Sequence, residues 1–170
     1  MDIKEALLAE HSKIQSQRIA DYIGKDPVRF AELMTLFFGQ EYRLTQRAAW
    51  VLSHCADRYL ELIHPHLEEM IHNLRNNVHV AVRRNTLRVL QFIDIPEELL
   101  GEAVDICFMY LASHDEPVAV KVFGMTVLAN ICKEEPDLGN ELRLLIEEQL
   151  PYGSAGFKSR GKKILAALPK

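Results

Sequence analysis

The segments VAVRRNTLRVL (residues 80–90) and VAVKVFGMTVL (residues 118–128) share their first three and last two letters and begin 38 positions apart. Two more segments align with them without gaps, YRLTQRAAWVL at residues 42–52 and AGFKSRGKKIL at residues 155–165. In all four, the third and tenth positions are apolar, the eleventh is leucine, and the seventh is small: Ala48, Thr86, Gly124 and Gly161. A fainter copy from Gln17 aligns with the stretch from Gln46. Similarity at a fixed period predicts a repeat protein.

Apolar residues recur at three- and four-residue spacing in almost every part of the chain, as in ELLGEAVDICFMYL (residues 98–111) and NELRLLIEEQL (residues 140–150). This spacing is typical of amphipathic helices. Prolines that follow Asp26, Ile95, Glu116, Glu135 and Leu150 fall between these stretches, where they mark helix starts or turns. The pattern therefore predicts an all-α protein of about ten helices joined by short connections.

Length and composition set further bounds. The 170 residues are enough for one well-buried domain. No stretch reaches the ~20 uninterrupted apolar residues of a membrane span, and the charged N-terminal segment does not resemble a signal peptide. The three cysteines (Cys55, Cys107 and Cys132) lie within apolar helical patterns, which favours reduced thiols and a cytoplasmic location.

One stretch carries a family resemblance. SHDEPVAVKVFGMTVLANI (residues 113–131) has an Asp turn, a proline, Val120-Lys121, a small residue and an apolar pair, and it resembles the HEAT repeat. The resemblance implies a single domain over residues 1–170, folded as a right-handed α-α superhelix (a HEAT/ARM-type solenoid) of about five two-helix repeats. The expected repeats are approximately 1–24, 26–56, 59–93, 96–133 and 137–168. It also implies that the second helix of each repeat lines a concave groove.

These second helices, which we expect at about 12–24, 42–56, 78–93, 118–132 and 155–168, are strongly basic. They contain twelve of the 20 basic residues and one acidic residue of the 24, Asp21, although the whole chain has a net charge of −4. Two interpretations remain open: structural ion pairing and solvation, or an acidic partner in the groove.

The core columns leave a set of positions that should face the groove, and these are the predicted partner-binding residues: Arg47, Trp50, Arg84, Arg88, Phe123, Thr126, Arg160 and Lys163. Trp50, Arg88, Thr126 and Lys163 share the ninth position of the repeated segment, so with helices ~10 Å apart they should form a row. Tryptophan and arginine are common binding hot spots. The alternative is that Trp50 and Phe123 pack against adjacent helices.

Signals for catalysis are weak. The match to a phosphate-binding loop, G-x-x-x-x-G-K at residues 156–162, lacks the following Ser or Thr and the preceding strand, and Gly161 belongs to the small-residue position. Glu69 and His72 form a Glu-x-x-His pair, but the His-Glu-x-x-His motif of zinc proteases is absent. We therefore expect no enzyme activity, catalytic residue, metal site or cofactor.

Two functions fit this pattern. The first is a non-catalytic scaffold or adaptor that binds a protein partner, such as an acidic segment, in a basic groove. The alternative is a nucleic-acid-binding protein similar to the HEAT-like DNA alkylation repair glycosylases, which use additional tryptophans and an aspartate, whereas Trp50 is the one tryptophan here. The overall acidity favours the protein partner over nucleic acid. We expect no membrane partner.

Overall fold

The computed structural model describes residues 1–168, and these contain helices and turns but no strand. The all-helical fold predicted from the sequence is confirmed. Ten α-helices follow one another within these residues: α1 (Ile3–Ala9), α2 (Lys13–Ile23), α3 (Pro27–Phe37), α4 (Tyr42–Ala56), α5 (Leu67–Asn73), α6 (Val80–Leu90), α7 (Glu97–Ala112), α8 (Val118–Ile131), α9 (Gly139–Gln149) and α10 (Ala155–Ala167). Short 3₁₀ turns occupy Leu60–Leu62, His64–His66 and Pro136–Leu138.

Helix starts follow from local side-chain chemistry. The Asp26 carboxylate accepts hydrogen bonds from the backbone N–H groups of Val28 and Arg29, and Pro27 is the first residue of α3. Ser154 accepts a hydrogen bond from the Phe157 N–H at the start of α10. Such caps satisfy backbone donors that a helix N-terminus leaves without partners.

The chain folds into two compact units, which we call the N-terminal unit (residues 1–89) and the C-terminal unit (from residue 90, described to 168). In the N-terminal unit, α4 packs against α1, α2 and α3. Ile19, Phe30, Leu33, Val51 and Leu52 are fully buried there. The apolar stripe of α4 therefore forms the middle of this core.

In the C-terminal unit, α8 packs against α7, α9 and α10. The small-residue position has a direct structural role here, because a Cβ atom added to Gly161 would lie 2.9 Å from the Cγ2 atom of Ile146 on α9. Gly161 therefore permits the close approach of α10 to α9. The residues that resemble a phosphate-binding loop lie inside α10 and belong to a helix rather than to a loop.

No helix within residues 1–168 is long and apolar enough to cross a membrane. The division into five repeats within a single domain stays a prediction.

Candidate partner-binding surface

Arg47 of α4 is engaged within the N-terminal unit. Its Nη1 atom donates hydrogen bonds to the backbone oxygens of Leu7, at 2.5 Å, and Leu8, at 3.1 Å. These carbonyls belong to the last turn of α1, where a helix has no N–H partners of its own. The positive charge of Arg47 also interacts favourably with the partial negative charge at the C-terminal end of α1. Arg47 therefore holds α1 against α4, a structural role that the sequence did not predict.

Trp50 is half-buried between two histidines. The ring of His11 meets it edge-on, with centroids 5.4 Å apart, and the ring of His54 stacks on it at 6.2 Å. Burial lowers the pKa of His54, while the charge of Asp57 acts in the opposite direction. A neutral His54 ring is thus favoured beside the indole. These ring contacts support the alternative in which Trp50 packs within the fold.

Arg88 of α6 is also engaged within the N-terminal unit. Its Nη2 atom lies 2.9 and 3.1 Å from the two carboxylate oxygens of Asp57, and its Nη1 atom donates to the Ser53 hydroxyl at 2.9 Å.

Arg84, in contrast, has an exposed side chain. Burial lowers the pKa of His79, and the charges of Arg83 and Arg84 add to this effect.

The C-terminal unit brings three of the predicted residues together. Thr126 from α8 and Arg160 and Lys163 from α10 line one recess with a volume of about 380 Å³. Within residues 1–168, neither Arg160 nor Lys163 makes a side-chain hydrogen bond or an ion pair. Phe123 is half-buried and does not line this recess.

Two further basic residues, at the fourth position of the repeated segment, have structural partners. Arg83 donates to the Val78 carbonyl at 2.7 Å. The ammonium group of the buried Lys121 donates to the Gln149 side chain at 2.8 Å, and Gln149 in turn donates to the Leu111 carbonyl. Burial lowers the pKa of Lys121, and the Glu116 charge counteracts part of that shift. These contacts give both side chains a role inside the fold.

Lys133 also lines the recess, together with Arg160 and Lys163, although it was not among the predicted residues. It follows the expected helix 118–132 by one residue and so falls outside the basic helices. The sequence spacing could have indicated Lys133, because it lies seven positions, about two helical turns, after Thr126 and shortly after the end of α8 at Ile131.

The three cysteines are buried thiols. Burial raises the pKa values of Cys55 and Cys107 to about 12 and also raises that of Cys132, so these thiols stay protonated and weakly nucleophilic. Within residues 1–168, no group of three or more His, Cys, Asp and Glu side chains is placed to hold a metal ion.

Comparison with known proteins gives one match. The family model described as a HEAT repeat domain matches residues 3–168. No curated protein and no solved structure matches the chain.

Proposed function

Because the chain belongs to the HEAT repeat family, we propose that it is a non-catalytic adaptor that binds an acidic protein segment. Among the eight positions predicted above, we expect the basic contacts to come from Arg84 of α6 and from Arg160 and Lys163 of α10, because Arg47 and Arg88 are engaged inside the fold. HEAT repeats form scaffolds whose stacked helices present extended binding surfaces. In this chain, accessible basic side chains of the repeated helices would form that binding surface.

The observation that carries the proposal is that Arg160 and Lys163 have no side-chain hydrogen bond or ion pair within residues 1–168. Cations that hold the fold together have acceptors inside it, as Arg47 and Arg88 do. Arg160 and Lys163 project from a helix, Ala155–Ala167, that contains four basic residues and no acidic one. A surface of one charge sign attracts a partner of the opposite sign and guides its approach.

A site-specific photocrosslinker tests this function. A benzophenone amino acid would replace Phe123 on α8 or, as the matched control, Leu144 on α9, whose side chain is 66% exposed. After irradiation in a nuclease-treated lysate of the source cells, we expect a covalent adduct with a defined protein from position 123 and none from position 144. An adduct that forms only in a lysate left untreated with nuclease would instead support nucleic-acid binding, and equal adducts from both positions would contradict the proposed surface.

A further inference from the structure

The recess of the C-terminal unit has an unusual charge distribution. It lies between the C-terminal part of α8 and the middle and end of α10. Its lining includes Lys133, Arg160 and Lys163, and no carboxylate among the described residues 1–168 lines it. A second recess of the same unit is lined by Asp94, Glu134 and Glu135 and contains no cation. The two recesses should therefore attract ligands of opposite charge.

The polar side chains of Thr126 and Asn130 in the basic recess are already hydrogen-bonded. The Thr126 hydroxyl donates to the Val122 carbonyl at 2.8 Å, and the Asn130 amide donates to the Gln91 carbonyl at 2.9 Å. The Asn130 side-chain oxygen accepts a hydrogen bond from Lys133 at 3.0 Å. With these groups satisfied, the recess offers an apolar floor bordered by Arg160 and Lys163 of α10, which have no side-chain partner within residues 1–168.

The equivalent positions of the N-terminal unit show which acceptor groups a cation at the ninth position can bind. Lys163 and Arg88 both hold the ninth position of their repeated segments, and Arg88 binds Ser53 and Asp57 of the preceding segment. When the segments are aligned, Ala129 stands at the position of Ser53 and Lys133 at the position of Asp57. Both replacements line the recess.

Positions 129 and 133 of the C-terminal unit thus lack the hydroxyl and the carboxylate that Ser53 and Asp57 offer to Arg88. A cation stands in place of the carboxylate, so the positive charges are also brought together. Like charges that share a small site repel one another, and an added carboxylate relieves that repulsion.

We infer that this recess binds an acidic peptide segment of the partner, with a carboxylate held by Arg160 and Lys163 and an adjacent bulky apolar side chain on the floor. The inference rests on the proposed function and identifies one contact point within it. The carboxylate takes the place that Asp57 has beside Arg88. The apolar side chain contacts Ile164 and Ala129, and the volume of about 380 Å³ accommodates one large residue.

Fluorescence anisotropy with synthetic peptides tests this inference on the full chain. The main probe is a labelled peptide of sequence DDELFDD. In the second peptide serines replace the leucine and phenylalanine, and in the third lysines replace every acidic residue. A single-stranded DNA of about 20 nucleotides is the fourth probe. At ~150 mM salt we expect the first peptide to bind about tenfold more tightly than the second, with no binding of the third and weak binding of the DNA.

Two pairs of charge reversals on the same helix provide the matched comparison. Arg160→Glu with Lys163→Glu reverses the charge of the two α10 cations that line the recess. Lys158→Glu with Lys162→Glu makes the same charge change at residues of α10 that do not line it. We expect the first pair to weaken binding of DDELFDD about tenfold or more, and the second pair to weaken it less than about threefold. Circular dichroism spectra that match the parent would show that both variants fold.

A third variant restores the arrangement of the N-terminal unit. Ala129→Ser with Lys133→Asp and Lys163→Arg supplies an internal carboxylate and hydroxyl, so binding of DDELFDD should be lost while the thermal midpoint stays equal or rises.

Equal loss in the two charge-reversal pairs, or full binding by the restored variant, would overturn the recess as a binding site. Equal binding of the serine peptide would show that the apolar floor holds no side chain, and tighter binding of the DNA would replace the peptide by a nucleic acid. A crosslinked protein at position 123, obtained together with any of these results, would leave the adaptor function standing and overturn the recess alone.

Discussion

Arg47 and Arg88 in the N-terminal unit and Arg160 and Lys163 in the C-terminal unit occupy the same two positions of the repeated segment, the sixth and the ninth. The first pair is used inside the fold, where Arg47 binds the end of α1 and Arg88 binds Asp57. The second pair has no side-chain partner within residues 1–168. A repeated basic pattern can therefore stabilise one part of a repeat protein and remain available for binding in another.

The difference originates in residues outside the basic positions. A cation contributes to stability only when an acceptor lies within reach, and Asp57 supplies one where Lys133 does not. A count of basic residues along one helix consequently overstates the number of cations that remain for a partner. The acceptor of such a cation can lie after the preceding repeated segment, as Asp57 does for Arg88.

The largest expected effect concerns the seventh position, which is Ala48 and Thr86 in the N-terminal unit and Gly124 and Gly161 in the C-terminal unit. Gly161→Leu should destabilise the protein by about 1–3 kcal/mol, since even a Cβ atom would lie 2.9 Å from the Ile146 side chain. Urea unfolding measures this. Gly101→Ala is the control, because a Cβ there meets nothing within 4 Å and alanine favours the helix. Equal stability of Gly161→Leu and the parent would refute the close helix contact.

A second comparison uses the sixth position. Arg47→Ala should cost about 1–2 kcal/mol, because the carbonyls of Leu7 and Leu8 lose their donor, and amide exchange in α1 should accelerate. Arg160→Ala should change stability by less than about 0.5 kcal/mol, as expected for a side chain without a partner. Hydrogen-exchange mass spectrometry resolves the two segments. Unchanged exchange in α1 after Arg47→Ala would contradict the capping role.

A smaller effect should appear with pH in the N-terminal unit. Burial lowers the pKa of His79, whose Nδ1 atom accepts a hydrogen bond from the Ala81 N–H at 2.8 Å. The unfolded chain therefore binds this proton more readily, and stability should decrease as the pH falls below about 6.5. The thermal midpoint should fall less on acidification in His79→Asn, since asparagine accepts the same bond without titrating.

The matched control for the pH experiment is His114→Asn, which changes an exposed histidine of the C-terminal unit. An identical response to acid in His79→Asn and the parent would show that this bond does not contribute to the pH dependence.

The sequence was sufficient for the fold because its signals are local and periodic. The repeat spacing and the spacing of apolar residues predicted the helices, and Asp26-Pro27 predicted the start of α3. The candidate site was harder. Nothing near Arg47 in sequence indicates that its acceptor is the carbonyl of Leu7, forty residues away. The pairing of Arg88 with Asp57, however, could have been found by extending the alignment beyond the helix, which also reveals Lys133.

The central claim is that Arg88 is paired in the N-terminal unit, whereas the equivalent Lys163 has no side-chain partner within residues 1–168. One pair of variants measures it directly. Urea unfolding of Arg88→Ala and Lys163→Ala should give a loss of about 0.5–1 kcal/mol for the first, because its partly exposed ion pair with Asp57 is broken, and no measurable loss for the second. Equal losses in the two variants would contradict the claim, since Lys163 would then be as much a part of the fold as Arg88.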